Sequence, residues 1–146
     1  MALQLGETSV IVERAREAGD ATMAEWVIED VLDTTPEMIW GGRAEAVKRC
    51  LEVTVASNRY EMTAFAGKRP VGFCVLVGEE DANVGPCLGI MWNWVHPDYR
   101  GVVGSRFLRR AIALAKENQL PVLAYTQRVG LGEYRVRYRR VHGQVD

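Results

Sequence analysis

The sequence predicts a mixed α/β fold in which helices flank a central sheet. Apolar residues recur at helical spacing in segments 21–32 and 104–118. Two segments rich in β-branched and aromatic residues, 60–66 and 71–77, are separated by a short turn and predict a hairpin. A strand, a helix and a further strand then follow in order over 88–126. This order of elements indicates one compact α/β unit, which we expect to be a single domain over residues 1–146.

The N-terminal elements are the least regular part of the pattern. Residues 8–18 fit a strand in their first half and a helix in their second half. Gly19 and Asp20 then break the chain before the predicted helix over 21–32. Pro36 opens another helix, which the glycine pair at 41–42 interrupts.

The central and C-terminal elements follow the hairpin. Residues 79–85 form a predicted polar loop, 88–95 a strand, and 104–118 an amphipathic helix. The residues of this helix expected to face the core are Phe107, Leu108, Ala111, Ile112 and Ala115. Residues 121–126 form the next strand, and no helix pattern follows, because 127–132 is short and contains two glycines.

The last predicted strand, 133–141, alternates strictly in residue type. Because successive side chains of a strand point to opposite faces, its residues fall into two sets. Tyr134, Val136 and Tyr138 are expected to face the core, and Arg135, Arg137 and Arg139 to face solvent or a protein partner, away from the loop at 100–105.

Composition excludes several classes of protein. The hydrophobic fraction of 48% and charged fraction of 25% are ordinary for a globular domain, and no apolar run has the length of a membrane helix. The three cysteines have no Cys-x-x-Cys spacing, which disfavours a metal site and fits a reducing compartment. The N-terminus lacks the pattern of a secretory signal, so we expect a cytoplasmic location.

The net charge of −1 conceals a separation of charge along the chain. Residues 1–98 contain 8 basic and 16 acidic residues, whereas residues 99–146 contain 10 basic and 3 acidic residues. The two parts either neutralise each other within the fold or leave a basic face for an anion or an acidic protein. The sequence pI near 6.2 disfavours a nucleic-acid-binding domain.

The segment that ends the strand at 88–95 and opens the next helix has the features of an anion site. A helix N-terminus presents unpaired N–H groups and a positive dipole, glycine allows close approach of the backbone, and arginine adds charge. The residues concerned are Val95, Arg100, Gly101, Val102, Val103, Gly104 and Ser105.

This segment, Val-x-Pro-x-Tyr-Arg-Gly followed by a glycine and Leu-x-x-Ala-Ile-x-x-Ala, resembles the acetyl-CoA-binding motif of the GNAT N-acetyltransferases. The resemblance implies a GNAT-like acyl-CoA N-acyltransferase fold with a mixed sheet, and a loop whose amides hold the CoA pyrophosphate. The chain departs from the motif because a further expected glycine falls on Val103. It also lacks the helix that the family usually carries before the last strand, which often supplies a tyrosine acid.

Four residues are candidates for the chemistry of acetyl transfer, which needs a base or water, polarising amides and an acid. Glu79 and Glu80 are candidate bases, and the alternative for both is a solvated loop. Asn93 is placed to hold an amine or a water, or to satisfy a bulge. Tyr125 is the candidate acid for the departing thiolate, with a core position as the alternative.

Two functions remain open at this stage. The first is an acetyl-CoA-dependent N-acetyltransferase acting on a small-molecule or protein amine. The second is a catalytically silent GNAT-like interaction protein, with Arg135, Arg137 and Arg139 as its contact face. Short GNAT-like proteins ending in a similar strand resemble some encoded by tailed phages, which makes a virion component the alternative location and role.

Overall fold

The computed structural model describes residues 9–141 and contains a six-stranded sheet whose strands follow one another in chain order. Every neighbouring pair is antiparallel except β4 and β5, which are parallel, so the predicted mixed sheet is confirmed. The strands are β1 (Ser9–Arg16), β2 (Arg59–Ala66), β3 (Arg69–Asp81), β4 (Gly85–Val95), β5 (Val122–Gly130) and β6 (Glu133–Arg140).

Three α-helices and three short 3-10 helices complete the fold within residues 9–141. The α-helices are α1 (Ile28–Thr34), α2 (Arg43–Val55) and α3 (Val102–Glu117), and the 3-10 helices are Met23–Trp26, Pro36–Ile39 and Pro97–Tyr99. The helix predicted over 21–32 is therefore wrong in detail, because the chain forms a 3-10 turn and then α1. The predicted interruption at the glycine pair is confirmed, since Gly42 has φ of +108°.

Each face of the sheet has its own apolar core. On one face α3 packs through Phe107, Ala111 and Leu114 against Leu76 and Leu88. On the other face α1 and the turn before it bury Val27 and Leu32 against Phe73 and Trp94. Of the α3 residues predicted to face the core, Phe107, Ala111 and Ala115 are buried, while Leu108 and Ile112 are half-buried at its margin.

A buried ion pair fixes the first connection to the sheet. The side chains of Arg59 and Glu61 are 0% and 1% exposed, and Arg59 Nε donates to Glu61 Oε2 at 2.7 Å. The other guanidinium nitrogens of Arg59 donate to backbone carbonyls, including Asp20 O at 2.8 Å, and Glu61 accepts from the Met23 amide. The residues of the 17–23 segment are thereby held against β2 by satisfied polar groups.

The strands β4 and β5 separate soon after they meet. Only Leu88 with Leu123 and Gly89 with Ala124 are partners, although both strands continue for several residues. The register of β3 and β4 shifts at this level, which leaves Met91 as an extra residue in β4. Such a bulge bends a strand and increases its twist, which explains the divergence.

The β5–β6 hairpin differs from the sequence prediction in which of its residues are buried. All residues of β6 are exposed, and Tyr134, Val136 and Tyr138 retain 47%, 59% and 39% exposure. The prediction that they face the core is wrong, because among the described elements only β5 packs extensively against β6. The absence of a helix between β5 and β6 is confirmed, since the strands are joined by the turn at residues 131–132.

Candidate functional site

The separation of β4 and β5 opens a passage through the sheet. Two cavities, of about 260 Å³ and 220 Å³, adjoin it and share the four lining residues Ile90, Asn93, Thr126 and Arg128. The larger one lies on the α1 side, where Met38 and Trp94 line it, and the smaller one on the α3 side. We call them the α1-side cavity and the α3-side cavity. A ligand in one can reach a ligand in the other where the strands part.

The first turn of α3 borders the α3-side cavity through Gly104. The preceding residue Gly101 has φ of +91°, a left-handed conformation that favours glycine, and this sets the sharp turn into the helix. The first intrahelical bond runs from the Ser105 N–H to Gly101 O at 3.3 Å. The amides of residues 102–104 therefore have no helical acceptor, and the positive end of the α3 dipole faces the cavity.

Val103, which replaces an expected glycine, does not obstruct this site. Its side chain is fully buried and points into the core, where a β-carbon built on Gly72 would lie 3.0 Å from Val103 Cγ1. Only the backbone amide of Val103 is therefore offered to a ligand. Val102 and Val103 belong to the helix and not to a loop as predicted, and Val102 is exposed.

Arg100 and Val95 are joined to each other. Arg100 is exposed, and its Nε donates to the carbonyl oxygen of Val95 at 3.1 Å. This bond holds the guanidinium beside the end of β4 and leaves its terminal nitrogens without partners among residues 9–141. Val95 itself is half-buried against the core, so its contribution to a ligand site is limited to its backbone.

Asn93 and Tyr125 are the two catalytic candidates that the structure brings together. Asn93 lines both cavities, and Tyr125 lines the α3-side cavity while packing partly against the core. An amide at the junction can orient a ligand on either side of the sheet, and a phenol in the α3-side cavity is a proton donor.

Glu79 and Glu80 are not brought into the cavities. Both lie within β3, which runs on to Asp81, so the polar loop predicted over 79–85 is confined to the turn at residues 82–84. Glu80 pairs with Pro86 at the far end of the β3–β4 hairpin. The carboxylate of Glu79 covers Gly89, next to the point where β4 leaves β5, and lies 3.9 Å from the Cys87 thiol. Burial and the charge of Glu79 raise the pKa of Cys87 to about 11, so this thiol stays protonated.

A polar cluster that the sequence analysis did not find closes one end of the α1-side cavity. Arg128 donates through Nε and Nη2 to both carboxylate oxygens of Glu37, at 2.6 Å and 2.8 Å, and the Tyr134 hydroxyl donates to Glu37 Oε2 at 2.7 Å. The Arg128 guanidinium lowers the pKa of Glu37 well below its ordinary value of 4.5. Near neutral pH Glu37 is therefore charged and links Arg128 to Tyr134, and it is not suited to accept a proton.

The lining of the two cavities limits the chemistry they can perform. Among the described lining residues there is no carboxylate and no imidazole, and the groups that ionise there are Tyr125, Arg128 and Tyr134. Within residues 9–141 no group of histidines, cysteines and acids is arranged to hold a metal ion. The arrangement can therefore position two reactants and polarise a carbonyl, but it supplies no titratable base in direct contact.

Comparison with known proteins agrees with the fold. The family model described as Acetyltransferase (GNAT) family matches residues 15–134. No curated protein matches the chain. None of the helices in the described part of the chain is long and apolar enough to cross a membrane.

Solved structures with the same fold are distant in sequence. A transcriptional regulator from Bacillus halodurans C-125 is 19% identical with a TM-score of 0.56, over 82% of this chain and 83% of that one. An IAA acetyltransferase from Bacillus cereus ATCC 14579 is 18% identical with a TM-score of 0.53, over 81% of this chain and 66% of that one. AAC(6')-Iy in complex with a bisubstrate analog of CoA is 13% identical with a TM-score of 0.52, over 82% and 81%. With a match over most of its length and the fold in agreement, the chain belongs to the GNAT acetyltransferase family.

Proposed function

We propose that this protein transfers an acetyl group from acetyl-CoA to an amine through the passage between β4 and β5. The observation that supports this most strongly is the position of the α3 N-terminus. Free amides at the positive end of a sixteen-residue helix border a cavity that communicates with a second cavity on the opposite face. An anionic cofactor on one side and an acceptor on the other can meet there.

In this proposal the cofactor occupies the α3 side. The amides of residues 102–104 and the guanidinium of Arg100 bind the pyrophosphate, because anions are favoured at a helix N-terminus. The pantetheine chain lies in the α3-side cavity against Phe107 and Leu108 and brings the thioester to Asn93 and Tyr125. AAC(6')-Iy was solved with a bisubstrate analog of CoA, and this supports a CoA site on the shared fold.

The reaction needs little beyond positioning. The amine nitrogen attacks the thioester carbonyl, the C–S bond breaks, the amide forms, and the CoA thiolate takes a proton, for which Tyr125 is the donor in reach of the α3-side cavity. Backbone N–H groups of β4 beyond Gly89, which lack a β5 partner, polarise the carbonyl. Water removes the proton of the ammonium, since no base lines the cavities, and the proton that the nitrogen loses as the amide forms passes through water to restore Tyr125. The Glu79 carboxylate lies against Gly89, where β4 leaves β5.

The acceptor cavity favours a weakly charged amine. Its lining combines apolar side chains with Asn93, Thr126 and Tyr134, and its one cation, Arg128, is neutralised by Glu37. Aminoglycosides, which AAC(6')-Iy binds as part of an analog, carry several positive charges. A lining without a carboxylate offers them no counter-charge, so we propose a small acceptor with a single amine.

Substitution of Gly104 tests the cofactor site without disturbing the fold. A β-carbon at Gly104 meets no atom within 4 Å, so Gly104→Asp and the neutral Gly104→Asn both fit. The aspartate is favourable to the helix dipole but repels a bound anion. We expect millimolar acetyl-CoA to raise the melting temperature of the wild type, less so that of Gly104→Asn, and not that of Gly104→Asp. An unchanged shift in Gly104→Asp would contradict the site.

Turnover is tested by release of free CoA thiol with a panel of single-amine compounds and one aminoglycoside. We expect turnover with at least one of the former and a strong decrease in Asn93→Ala. A protein that binds acetyl-CoA but turns over no amine would favour the second candidate function, a non-catalytic protein on the GNAT scaffold. The absence of a base in the described cavity lining is the observation that supports this second candidate. A cytoplasmic location and a virion role both stay predictions.

A further inference from the structure

The strand β6 carries three arginines on the sheet face that α3 covers. Antiparallel partners share a face, and Arg139, Arg137 and Arg135 stand opposite Leu123, Tyr125 and Gln127 of β5. Leu123 and Tyr125 belong to the α3-side core. We call these three residues the arginine row. The expectation that the row points away from the loop at 100–105 is therefore wrong, since both lie on the same side of the sheet.

The arginine row has no counter-charge in the described part of the chain. Each member is exposed, and none is within ion-pair distance of a carboxylate among residues 9–141. Other charges of the basic C-terminal part are neutralised inside the fold, as Arg110 is by Glu13 and Arg128 by Glu37. Ion pairs within the fold thus compensate part of the charge separation along the sequence. The arginine row belongs to the positive charge that they do not compensate.

The arginine row is continuous with the α3-side cavity. Arg137 Nε donates to Gln127 Oε1 at 2.9 Å, and Gln127 lines that cavity. Tyr125 lines both the cavity and an open groove of about 420 Å³, whose lining includes Arg137 and Arg139. The first turn of α3 and the row therefore flank one space from opposite sides, at the place where the chain has no helix between β5 and β6.

We propose that the arginine row binds the 3′-phosphate of coenzyme A. The inference rests on the proposed function, in which the amides of α3 hold the pyrophosphate. Coenzyme A carries a second anionic group on its ribose, and the guanidinium fork matches phosphate geometry and remains charged at every physiological pH. Arg137 is held in place by its hydrogen bond to Gln127, and Arg135 is the register partner of that glutamine. The arginine row thus supplies positive charge beside the cavity, where the chain has a hairpin and no helix.

Two ligands that differ only in the 3′-phosphate test the proposal. Coenzyme A and dephospho-coenzyme A are titrated by calorimetry into the wild type, the Arg135→Gln/Arg137→Gln variant and the control Arg14→Gln/Lys48→Gln. The control removes the same charge from exposed residues on β1, at the other edge of the sheet, and on α2, on the other face. Equal melting temperatures of the three proteins establish that both variants are folded.

We expect the wild type and the control to bind coenzyme A about tenfold more tightly than dephospho-coenzyme A, or ~1.4 kcal/mol. The arginine-row variant should lose this preference and keep its affinity for dephospho-coenzyme A. An equal loss for both ligands, or a wild type without preference, would overturn the inference and leave the proposed function intact. No binding of either ligand to the wild type would overturn both. A preference that persists in the variant would also overturn the inference, because the 3′-phosphate would then be bound by other residues.

Discussion

The first four strands and the β5–β6 hairpin are held in place by different forces. Strands β2, β3 and β4 are buried between two apolar cores. The hairpin pairs with β4 at two positions and contributes Leu123 to one of these cores. All of β6 is exposed, however, and polar side chains connect the hairpin to other elements, such as Arg128 to Glu37 and Tyr138 to Asp81. The candidate site lies at the boundary between them. Substitutions in the first region should therefore change stability, and those in the hairpin should change binding.

The largest effect is expected where α3 meets the sheet. Phe107 is 1% exposed and belongs to the core on that face. Phe107→Ala should lower the free energy of unfolding by about 3–5 kcal/mol, because it removes buried surface and leaves a cavity. Leu108→Ala, at the half-buried margin, should cost less. Urea unfolding measures both, and equal costs would contradict the stated orientation of α3.

A similar loss is expected from the buried ion pair of the first region. Arg59→Gln leaves the Glu61 carboxylate buried without its cation, and breaking a buried pair in this way costs about 3–5 kcal/mol. The double variant Arg59→Gln/Glu61→Gln removes the unpaired charge and should recover part of the loss. Chemical unfolding of the two variants measures both losses. If the loss came from packing and not from the unpaired charge, the second substitution would restore none of the free energy of unfolding.

The stabilisation by the Glu37–Arg128 ion pair of the hairpin should depend on pH, and its loss on substitution should cost much less than the loss of the buried pair. The pKa of Glu37 lies below its ordinary value of 4.5 in the folded protein, because Arg128 and Tyr134 stabilise the carboxylate. Its contribution to stability is therefore complete above pH 4.5 and is lost as the pH falls toward the lower folded pKa. The melting temperatures of wild type and Arg128→Gln should differ near neutral pH and converge below pH 4.5. A difference that is constant with pH would contradict this assignment.

The smallest effect is expected on the exposed face of β6. Val136 is 59% exposed, so Val136→Thr should change the free energy of unfolding by less than about 0.5 kcal/mol. Thermal melting at two protein concentrations provides the check. A cost above about 1.5 kcal/mol that depends on concentration would show that a second copy covers this face.

The same boundary separates what local sequence patterns could predict from what they could not. The β2–β3 hairpin, the amphipathic α3 and the glycine turn that precedes it are local features, and residue spacing predicted all three. The alternation of β6 separated its arginines from its aromatic residues correctly. It did not identify whether either face is covered, because that depends on which other elements of the fold pack against β6.

Contacts between distant residues account for the rest of the candidate site. Glu37 and Arg128 are 91 positions apart, and nothing near either residue indicates a partner. Val103 departs from the family motif, but its side chain packs over Gly72 in the core, and local residue spacing does not reveal this contact between distant positions. The charges of Glu79 and Glu80 predict a loop, because acidic residues are depleted in strands. Pairing with β4 nevertheless extends β3 through both residues.

The central claim is that the cofactor site lies where β4 and β5 part, although a larger cavity exists elsewhere. That cavity, of about 460 Å³, lies between the end of β1, Asn58 and Asn118. Titration of isotope-labelled protein with coenzyme A, followed by amide NMR shifts, decides between them. We expect the changes to concentrate on residues 102–105, Asn93 and residues 125–128. Shifts confined to Ala15, Asn58 and Asn118 would contradict the account.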